Sequence, residues 1–350
     1  MKKILFFSCE PGGAEVLVPV INLFTSRQEY EVQVVSYGYG ASQFFRSGIS
    51  YMEISPVEKH DRSVVEKYRP DLLITSACSM PEQDMSEKYL WYQARQIGIK
   101  TIAFLDQWQN YVIRFSGNSE QEKMAYLPDF INCINEIGRQ EMGEKGFGAE
   151  RLIIFGHPSL SMIPERIKAI NVAGIKDKLG IAHDYPVVLF VSEPLREYYA
   201  LDRGYDQYEA LEMVVNVVKK SIGKAIVIVK LHPKDRLENF NAIQLRLKEQ
   251  HHLIFVTDEL SPIECNGVAD YVFGMSSVML IEAYLMSKLV VSVQPNLRIE
   301  DPCVLSKYGY IPLIENIGFD ILNIFMAPQR IFECHFRINE FLEFVMEVLQ

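Results

Sequence analysis

The sequence predicts an α/β protein with two Rossmann-like, doubly wound domains that face each other across a cleft. Short apolar strands alternate with helical patterns along the chain, which is typical of parallel sheets covered by helices. Polar residues cluster where these strands end, at the edge where open parallel sheets bind ligands. At 350 residues the chain is long for one hydrophobic core and sufficient for two.

A glycine and a proline close together at a strand end predict the boundary between the domains. The segment Phe155-Gly156-His157-Pro158 breaks the alternation of strands and helices. We expect an N-terminal domain over 1–157, a C-terminal domain over 158–330, and a final helix within 331–350 that packs back toward the N-terminal domain. His157 either faces the cleft or makes a structural hydrogen bond at the hinge, and the second interpretation is favoured.

Composition excludes several classes of protein. The net charge of −10 argues against a nucleic-acid partner, because such binding requires basic side chains that neutralise phosphates. Six cysteines without a Cys-x-x-Cys pair indicate buried thiols in a reducing compartment and argue against a zinc site. No apolar run approaches the ~20 residues of a membrane span. We expect a cytoplasmic protein whose only membrane attachment would be peripheral, at the inner face.

The first strand, 4–8, leads through a glycine-containing turn into an amphipathic helix that extends to about residue 24. Gly12 and Gly13 let the backbone approach a ligand. Glu15 is expected in the first turn of this helix, where the helix dipole stabilises its charge, and that effect alone would also explain its presence. The turn lacks a Gly-x-Gly-x-x-Gly fingerprint, so it gives little support to a dinucleotide site.

The loop after a later strand is the most unusual segment of the first half. Strands are expected at 32–36, 71–75, 101–105, 130–133 and 151–155, and helices at 87–97 and 137–145. After Leu105, the loop contains Asp106, Trp108, Asn110 and Arg114. Asp106 is either a general base or a turn former, Trp108 either a platform that stacks on a sugar or a lid on the core, and Arg114 an anion clamp.

The second half repeats the pattern of strands followed by polar residues. Strands are expected at 186–191, 225–231 and 253–256, and helices at 175–179, 208–221 and 237–248. The first of these strands ends in Ser192 and Glu193. The second ends at Lys230-Leu231 and is followed by His232-Pro233-Lys234, where the proline keeps His232 out of helical geometry and at the edge of the sheet.

Residues 271–293 predict a strand, a tight turn, a buried helix and a second strand. Gly274, Ser276 and Ser277 lie in the turn, where the unsatisfied N–H groups of a helix N-terminus favour an anion. Glu282 is the only charge in a very apolar helix and lies six residues beyond Ser276, about 9 Å along the axis. That distance spans a nucleotide from phosphate to ribose. Alternatively, the serines cap the helix and Glu282 pairs with an arginine.

With these motifs the chain resembles the GT-B glycosyltransferase superfamily, in particular the branch related to UDP-N-acetylglucosamine 2-epimerase and to bacterial capsule enzymes. The segment 155–158 is similar to the interdomain Gly-x-Pro segment. Residues 230–233 are similar to the His-Pro motif of bacterial sialyltransferases, Kdo transferases and polyol-phosphate transferases. Ser276-Ser277 with Glu282-Ala283 is similar to the Ser-Ser element of the same groups. The paired glycines and acids of the epimerases are absent from 274–282.

The resemblance implies a role for each candidate. The second domain would bind a nucleotide-sugar donor, with His232, Ser192, Ser276 and Ser277 on its phosphate and Glu282 on its ribose. The remaining donor-binding candidates are Glu193, Lys230, Pro233, Lys234 and Gly274. The first domain would present the acceptor near Gly12, Gly13, Trp108, Asn110 and Arg114. Either Glu15 or Asp106 would deprotonate the acceptor hydroxyl. No Asp-x-Asp motif is present, so neither a metal nor another cofactor is expected.

The predicted function is therefore a metal-independent glycosyltransferase that modifies a bacterial surface glycan or glycoconjugate, with a CMP-activated acidic sugar preferred over a UDP-sugar. An epimerase or hydrolase of nucleotide sugars on the same fold remains open, as does a CDP-polyol phosphotransferase, because fold does not determine function. A binding protein without turnover is the remaining class. The sequence does not determine the oligomeric state.

Overall fold

The computed structural model describes residues 1–182, 185–198, 202–247, 252–316 and 330–350. The chain forms two compact units. The first consists of Met1–Met162 together with Glu333–Gln350, and the second of Ile163–Phe332. The first unit is thus built from two separate stretches of sequence.

The first unit contains a parallel sheet with helices between its strands. Its strands are β1 (Lys2–Ser8), β2 (Tyr30–Ser36), β3 (Met52–Glu53), β4 (Leu72–Thr75), β5 (Lys100–Phe104), β6 (Phe130–Asn132) and β7 (Leu152–Ile153). The helices that precede β7 in the chain are α1 (Pro11–Thr25), α2 (Gly38–Arg46), α3 (Ser63–Tyr68), α4 (Ser86–Gln96), α5 (Tyr111–Arg114) and α6 (Glu136–Glu144).

The order of these strands is that of a doubly wound sheet. They are arranged as β3-β2-β1-β4-β5-β6-β7, and every neighbouring pair is parallel. The chain runs outward from β1 to β3 on one side and then crosses to β4 on the other. The direction of winding therefore reverses between β1 and β4, which is where such sheets bind ligands, beside the carboxyl ends of the strands.

The second unit has the same kind of sheet. Its strands are β8 (Val187–Val191), β9 (Ile226–Lys230), β10 (His252–Val256), β11 (Tyr271–Gly274), β12 (Leu289–Val293) and β13 (Leu313–Ile314). They are arranged in parallel as β10-β9-β8-β11-β12-β13. The reversal of winding here lies between β8 and β11.

Eight helices accompany these strands in the described part of the second unit. They are α7 (Ile163–Ile167), α8 (Val172–Lys178), α9 (Leu195–Tyr198), α10 (Gln207–Ser221), α11 (Asn241–Leu247), α12 (Pro262–Val268), α13 (Val278–Leu285) and α14 (Val304–Lys307). The helix α10 begins with a capping box, in which the Asp206 side chain accepts from backbone N–H groups of the first turn and the Glu209 side chain accepts from the Asp206 N–H. Its buried apolar residues belong to the same core as those of β8, β9 and β12.

The helix α15 (Ile338–Val348) belongs to the first unit. Its Phe341 is fully buried, and the ring centroid lies 6.0 Å from that of Phe24, 5.4 Å from Phe104 and 5.3 Å from Phe155. Lys2 Nζ donates a 2.6 Å hydrogen bond to the carbonyl of Leu349. These contacts make α15 part of the first core, together with α1 and the strands.

The predicted fold class of two Rossmann-like sheets is confirmed. The predicted apolar strands form within one or two residues of their expected bounds, whereas β3 and β13, of two residues each, were too short to show a periodicity. The helix predicted over 237–248 is divided into a 3₁₀ turn, Leu237–Phe240, and α11, and residue 248 lies outside the described residues. In the part of the chain that the structure describes, no helix is long and apolar enough to cross a bilayer.

Candidate functional site

The candidate site in the first unit lies where β1 and β4 end. The hydroxyls of Ser8, the last residue of β1, and Ser76, the first residue after β4, are 2.7 Å apart and buried. The first turn of α1 packs directly against these two serines. A Cβ at Gly13 would lie 2.2 Å from Ser76 Oγ, so only glycine allows the helix to approach this closely. The sequence placed Gly12 and Gly13 at this edge, and the structure does so too.

Asp106 and Arg114 form an ion pair at the same edge. Arg114 Nη1 lies 2.8 Å from Asp106 Oδ1, although the pair lacks the alignment of a full hydrogen bond. The other carboxylate oxygen, Oδ2, packs against Gly12 at the start of α1. Arg114 is buried, and its guanidinium also donates to the carbonyls of Gln109 and Ala77. Arg114 therefore fixes Asp106 and two loops, and its guanidinium is not an open anion clamp as the sequence suggested.

Trp108 is also not the sugar-stacking platform proposed as one of its two roles. Only 5% of its surface is exposed, its Nε1 donates to Asn135 Oδ1 at 2.7 Å, and its ring stacks on that of His157. These contacts match the alternative role, a lid on the core. Asn110 takes a left-handed backbone conformation, with φ of 62°, and turns the chain into α5.

Glu15 lies in the second turn of α1, because the helix begins at Pro11 and its first turn contains no acidic residue. The expectation of a first-turn position was therefore wrong, since the helix starts earlier than the glycines suggested. Gln43 Nε2 donates to Glu15 Oε2, and the side chain is partly exposed. Of the two acids considered for proton transfer, Asp106 lies beside the guanidinium of Arg114.

His157 has the structural role that the sequence favoured. Its ring is buried, Nδ1 accepts from the backbone N–H of Leu160 at 3.2 Å, and Nε2 lies 3.2 Å from the carbonyl of Asp106. This arrangement places the proton of the neutral ring on Nε2. Burial lowers the pKa of His157 to about 4, against the smaller opposing effect of the Asp106 carbonyl.

Two buried charges beside β4 were missed by the sequence analysis. Glu87 accepts hydrogen bonds from Ser76 Oγ and the Cys78 N–H, and burial raises its pKa to about 7. Lys88 Nζ donates to the Cys78 carbonyl at 3.0 Å. The sequence could have indicated that Glu87 is buried. It shares the helical spacing of the apolar residues Leu90, Trp91 and Ala94 and so lies on the buried face of α4. These charges hold the loop that follows β4.

The candidate site in the second unit lies where β8 and β11 end. Glu193 accepts two hydrogen bonds from Ser276, one from its backbone N–H at 2.6 Å and one from its hydroxyl at 2.8 Å. Ser276 Oγ in turn accepts from Nη1 of Arg203 at 2.9 Å. Both Ser276 and Arg203 are buried. Arg203 was not considered from the sequence, because nothing in its local pattern distinguishes it from a surface arginine.

His232 follows β9 at the same edge. Its Nδ1 accepts from the Lys234 N–H at 3.1 Å, so the proton of the neutral ring lies on Nε2. Burial lowers the pKa of His232 to about 4, and Lys234 and Lys230 lower it further. The His232 N–H donates to Asp235 Oδ2 at 2.9 Å. His232 is therefore a neutral hydrogen-bond donor at neutral pH rather than a cation.

Asp235 and Ser192 complete this cluster, and the sequence analysis did not select Asp235. Burial raises the pKa of Asp235 to about 6, while the hydrogen bond from His232 lowers it. Ser192 is buried beside this carboxyl and also lowers its pKa, but its Oγ is too poorly aligned for a full hydrogen bond. Ser192 thus carries a buried hydroxyl without a well-formed partner, a group that a ligand could satisfy.

Other predicted donor-binding residues have structural partners. Lys230 Nζ donates to the carbonyls of Thr257 and Leu260, which directs its charge away from a phosphate role. Ser277 caps α13 by accepting from the Met279 N–H at 3.3 Å. Glu282 is buried in α13, where Asn266 donates to it at 3.3 Å. Gly274 is the buried last residue of β11, and Pro233 and Lys234 form the turn after His232.

Within the described residues, no group of three or more histidine, cysteine, aspartate or glutamate side chains is placed to hold a metal ion. The six cysteines are all buried as free thiols.

The two doubly wound units give this protein the GT-B type of fold. The family model described as Alpha-2,8-polysialyltransferase (POLYST) matches residues 156–292, which include every donor-binding candidate. The resemblance inferred from the His-Pro and Ser-Ser segments is thus confirmed, and the match supports a glycosyltransferase. No curated protein matches the chain in sequence.

Solved structures with the same fold cover essentially the whole chain. UDP-GlcNAc 2-epimerase from Methanocaldococcus jannaschii has a TM-score of 0.66 at 14% identity over 99% of each chain. UDP-GlcNAc 2-epimerase from Neisseria meningitidis, bound to UDP-GlcNAc, has a TM-score of 0.65 at 12% identity over 100% of this chain and 94% of its own. A glycosyltransferase from Rickettsia africae has a TM-score of 0.63 at 13% identity over 100% and 99%. At these identities the likeness establishes the fold.

Proposed function

We propose that this protein is a metal-independent glycosyltransferase that uses a nucleotide-sugar donor, with a CMP-activated acidic sugar preferred over a UDP-sugar. The acceptor would be a glycan or glycoconjugate of a bacterial surface, and the reaction would occur in the cytoplasm or at the inner face of the membrane. The observation that carries the proposal is the polysialyltransferase match over 156–292, because this segment contains His232, Ser192 and the paired serines.

The donor would bind at the edge formed by β8, β9 and β11. His232 is held there with its Nε2–H as a donor, and no residue in the described part of the chain accepts from that nitrogen. Ser192 adds a buried hydroxyl, and Ser277 marks the N-terminus of α13, whose dipole favours negative charge. These neutral groups would stabilise the departing phosphate without a metal ion. Glu282 remains the proposed ribose contact.

The acceptor would bind at the edge formed by β1, β4 and β5. In the proposed reaction the acceptor oxygen bonds to the anomeric carbon while the bond from that carbon to the phosphate oxygen breaks. The acceptor proton moves to a carboxylate, and the nucleotide leaves with its phosphate. Glu15 is the proposed base, because the Asp106 charge is already compensated by Arg114. Asp106 would instead orient the acceptor beside Gly12 and Gly13.

An epimerase or hydrolase of nucleotide sugars is the second candidate. It is favoured by the whole-chain likeness to UDP-GlcNAc 2-epimerases. Such an enzyme consumes its donor without a glycan acceptor, and this difference separates the two proposals.

The test measures release of CMP and UDP by chromatography, from CMP-N-acetylneuraminic acid and from UDP-GlcNAc, with and without a sialylated oligosaccharide. Acceptor-dependent release of CMP, retained in EDTA and lost in His232→Ala, is the expected result. Acceptor-independent consumption of UDP-GlcNAc would instead support the epimerase or hydrolase. Glu144→Gln, a change on an exposed turn of α6, is the matched control.

A further inference from the structure

The carboxylate of Glu193 occupies the position at the second switch point where an anion would be expected to bind. It accepts both the N–H and the hydroxyl of Ser276, immediately before the N-cap of α13. Glu193 follows β8 and Ser276 follows β11, the two strands between which the winding reverses. The carboxylate therefore fills, from within the protein, a set of donors that would otherwise suit a phosphate.

Two cationic groups at this edge, Arg203 and Lys230, are already engaged as hydrogen-bond donors. Arg203 is buried and donates to Ser276 Oγ. Lys230 Nζ donates to two carbonyls of the chain after β10. His232 is neutral at neutral pH. Two more acids, Glu197 and Asp235, lie on the elements packed around the same edge, and both Glu193 and Glu197 raise the pKa of Asp235.

A second phosphate at this edge would face both a filled position and a like charge. One phosphate can use His232, Ser192 and the N-terminus of α13 without displacing Glu193. A diphosphate would have to expel the Glu193 carboxylate from Ser276 or lie beside it. Either way it loses affinity, because like charges repel strongly where water is partly excluded.

We infer that Glu193 is a specificity-determining residue that selects donors with one phosphate between nucleoside and sugar and disfavours donors with a diphosphate. This inference rests on the proposed function of the second unit as a donor site, and it adds the residue that sets the donor class. Glu193 acts by occupying the site and by its charge, and takes no part in bond breaking.

The test compares the dissociation constants of CMP, CDP, UMP and UDP by titration calorimetry. Comparing nucleotides with the same base isolates the effect of the second phosphate. In the wild type we expect each monophosphate to bind about tenfold or more tightly than its diphosphate, the size of one repulsive contact between partly buried charges. In Glu193→Gln, which keeps the shape and removes the charge, the preference should fall about tenfold. Glu193→Ala also removes the side chain from this position, so the affinity for diphosphates should be higher still than in Glu193→Gln.

Glu212→Gln is the matched control, because Glu212 is an acid on α10 whose carboxylate pairs with Arg246 rather than with Ser276. This control variant should prefer monophosphates over diphosphates to the same extent as the wild type. Equal binding of mono- and diphosphates by the wild type, or a preference unchanged in both Glu193 variants, would overturn the inference while the donor site stands. Failure of all four nucleotides to bind the folded wild type would overturn the donor site, and the inference with it. Circular dichroism and melting curves establish that each variant is folded.

Discussion

Arg114 Nη1 lies 2.8 Å from Asp106 Oδ1 at the carboxyl edge of the first sheet, and the arginine is almost completely buried. A carboxylate compensated in this way is well placed to position a hydroxyl and poorly placed to take its proton. Glu15, the other candidate base, accepts at its Oε2 from the side-chain amide of Gln43.

We therefore expect Glu15→Gln to lower kcat by about 10²- to 10⁴-fold, the usual contribution of a general base. Asp106→Asn should lower it less and raise the KM for the acceptor. Initial rates at saturating donor measure both effects, and unchanged affinity for CMP shows that the donor site is intact. A larger loss of kcat in Asp106→Asn than in Glu15→Gln would assign the base to Asp106.

His232 should bind donor phosphate as a neutral group. Its pKa of about 4 keeps the ring uncharged between pH 5.5 and 7.5. Affinity for a CMP-sugar, whose phosphodiester does not titrate in this range, should then vary less than about twofold, whereas a cationic histidine with an ordinary pKa would lose about tenfold. Calorimetry without acceptor makes the measurement.

The same titration in an Asp235→Asn background removes the contribution of a second group with a pKa of about 6. A tenfold loss of affinity with rising pH in that background would show that His232 binds as a cation. In His232→Ala the stabilisation by ligand, about 2.7 kcal/mol at 100 times the dissociation constant, should largely disappear.

His157 should make stability depend on pH. Its pKa is about 4 in the folded protein and near 6.5 in the unfolded chain, so the unfolded state binds more protons between these values. Its contribution is fully present above pH 6.5 and is lost as the pH falls toward 4. The free energy of unfolding of the wild type relative to His157→Gln should decrease by about 2 kcal/mol from pH 7 to pH 5. Urea denaturation at several pH values measures it, and a constant difference would contradict the burial effect.

Glu87 should have the opposite pH dependence. Its folded pKa of about 7 exceeds the unfolded value near 4.5, so the folded state holds the proton longer as the pH rises. The free energy of unfolding of the wild type relative to Glu87→Gln should decrease by about 2 kcal/mol from pH 5 to pH 7.5. The check is the same set of denaturation curves, in which an increase over this interval would show that Glu87 is ionised throughout.

Phe341 should be important for the stability of the first unit. Its ring contacts those of Phe24, Phe104 and Phe155, and Phe341→Ala should cost about 3–5 kcal/mol. Met346, which is 50% exposed on the same helix, provides the control, and Met346→Ala should change stability by less than about 0.5 kcal/mol. Chemical denaturation followed by tryptophan fluorescence reports on the first unit, since Trp91 and Trp108 both belong to it.

The sequence predicts the sheets well because their strands are short apolar runs buried on both faces. It also predicts which residues follow the strands, since the carboxyl ends of parallel strands share one edge. It cannot predict which of these residues contact each other. Glu193 and Ser276 are 83 positions apart, and their contact depends on β8 and β11 being neighbours. Arg114 and Lys230 were predicted to bind anions, but instead they bind carbonyls of their own unit. Trp108 faces inward because Asn135 accepts from its Nε1.

The first unit closes with residues 333–350, although the chain has by then passed through the whole of the second unit. During synthesis, Phe24, Phe104 and Phe155 therefore leave the ribosome well before Phe341, the residue that completes their core. The second unit has all of its residues available earlier. We therefore expect the second unit to complete its folding before the first. Until α15 has been synthesised, the core of the first unit is incomplete and exposes apolar surface that is prone to aggregation.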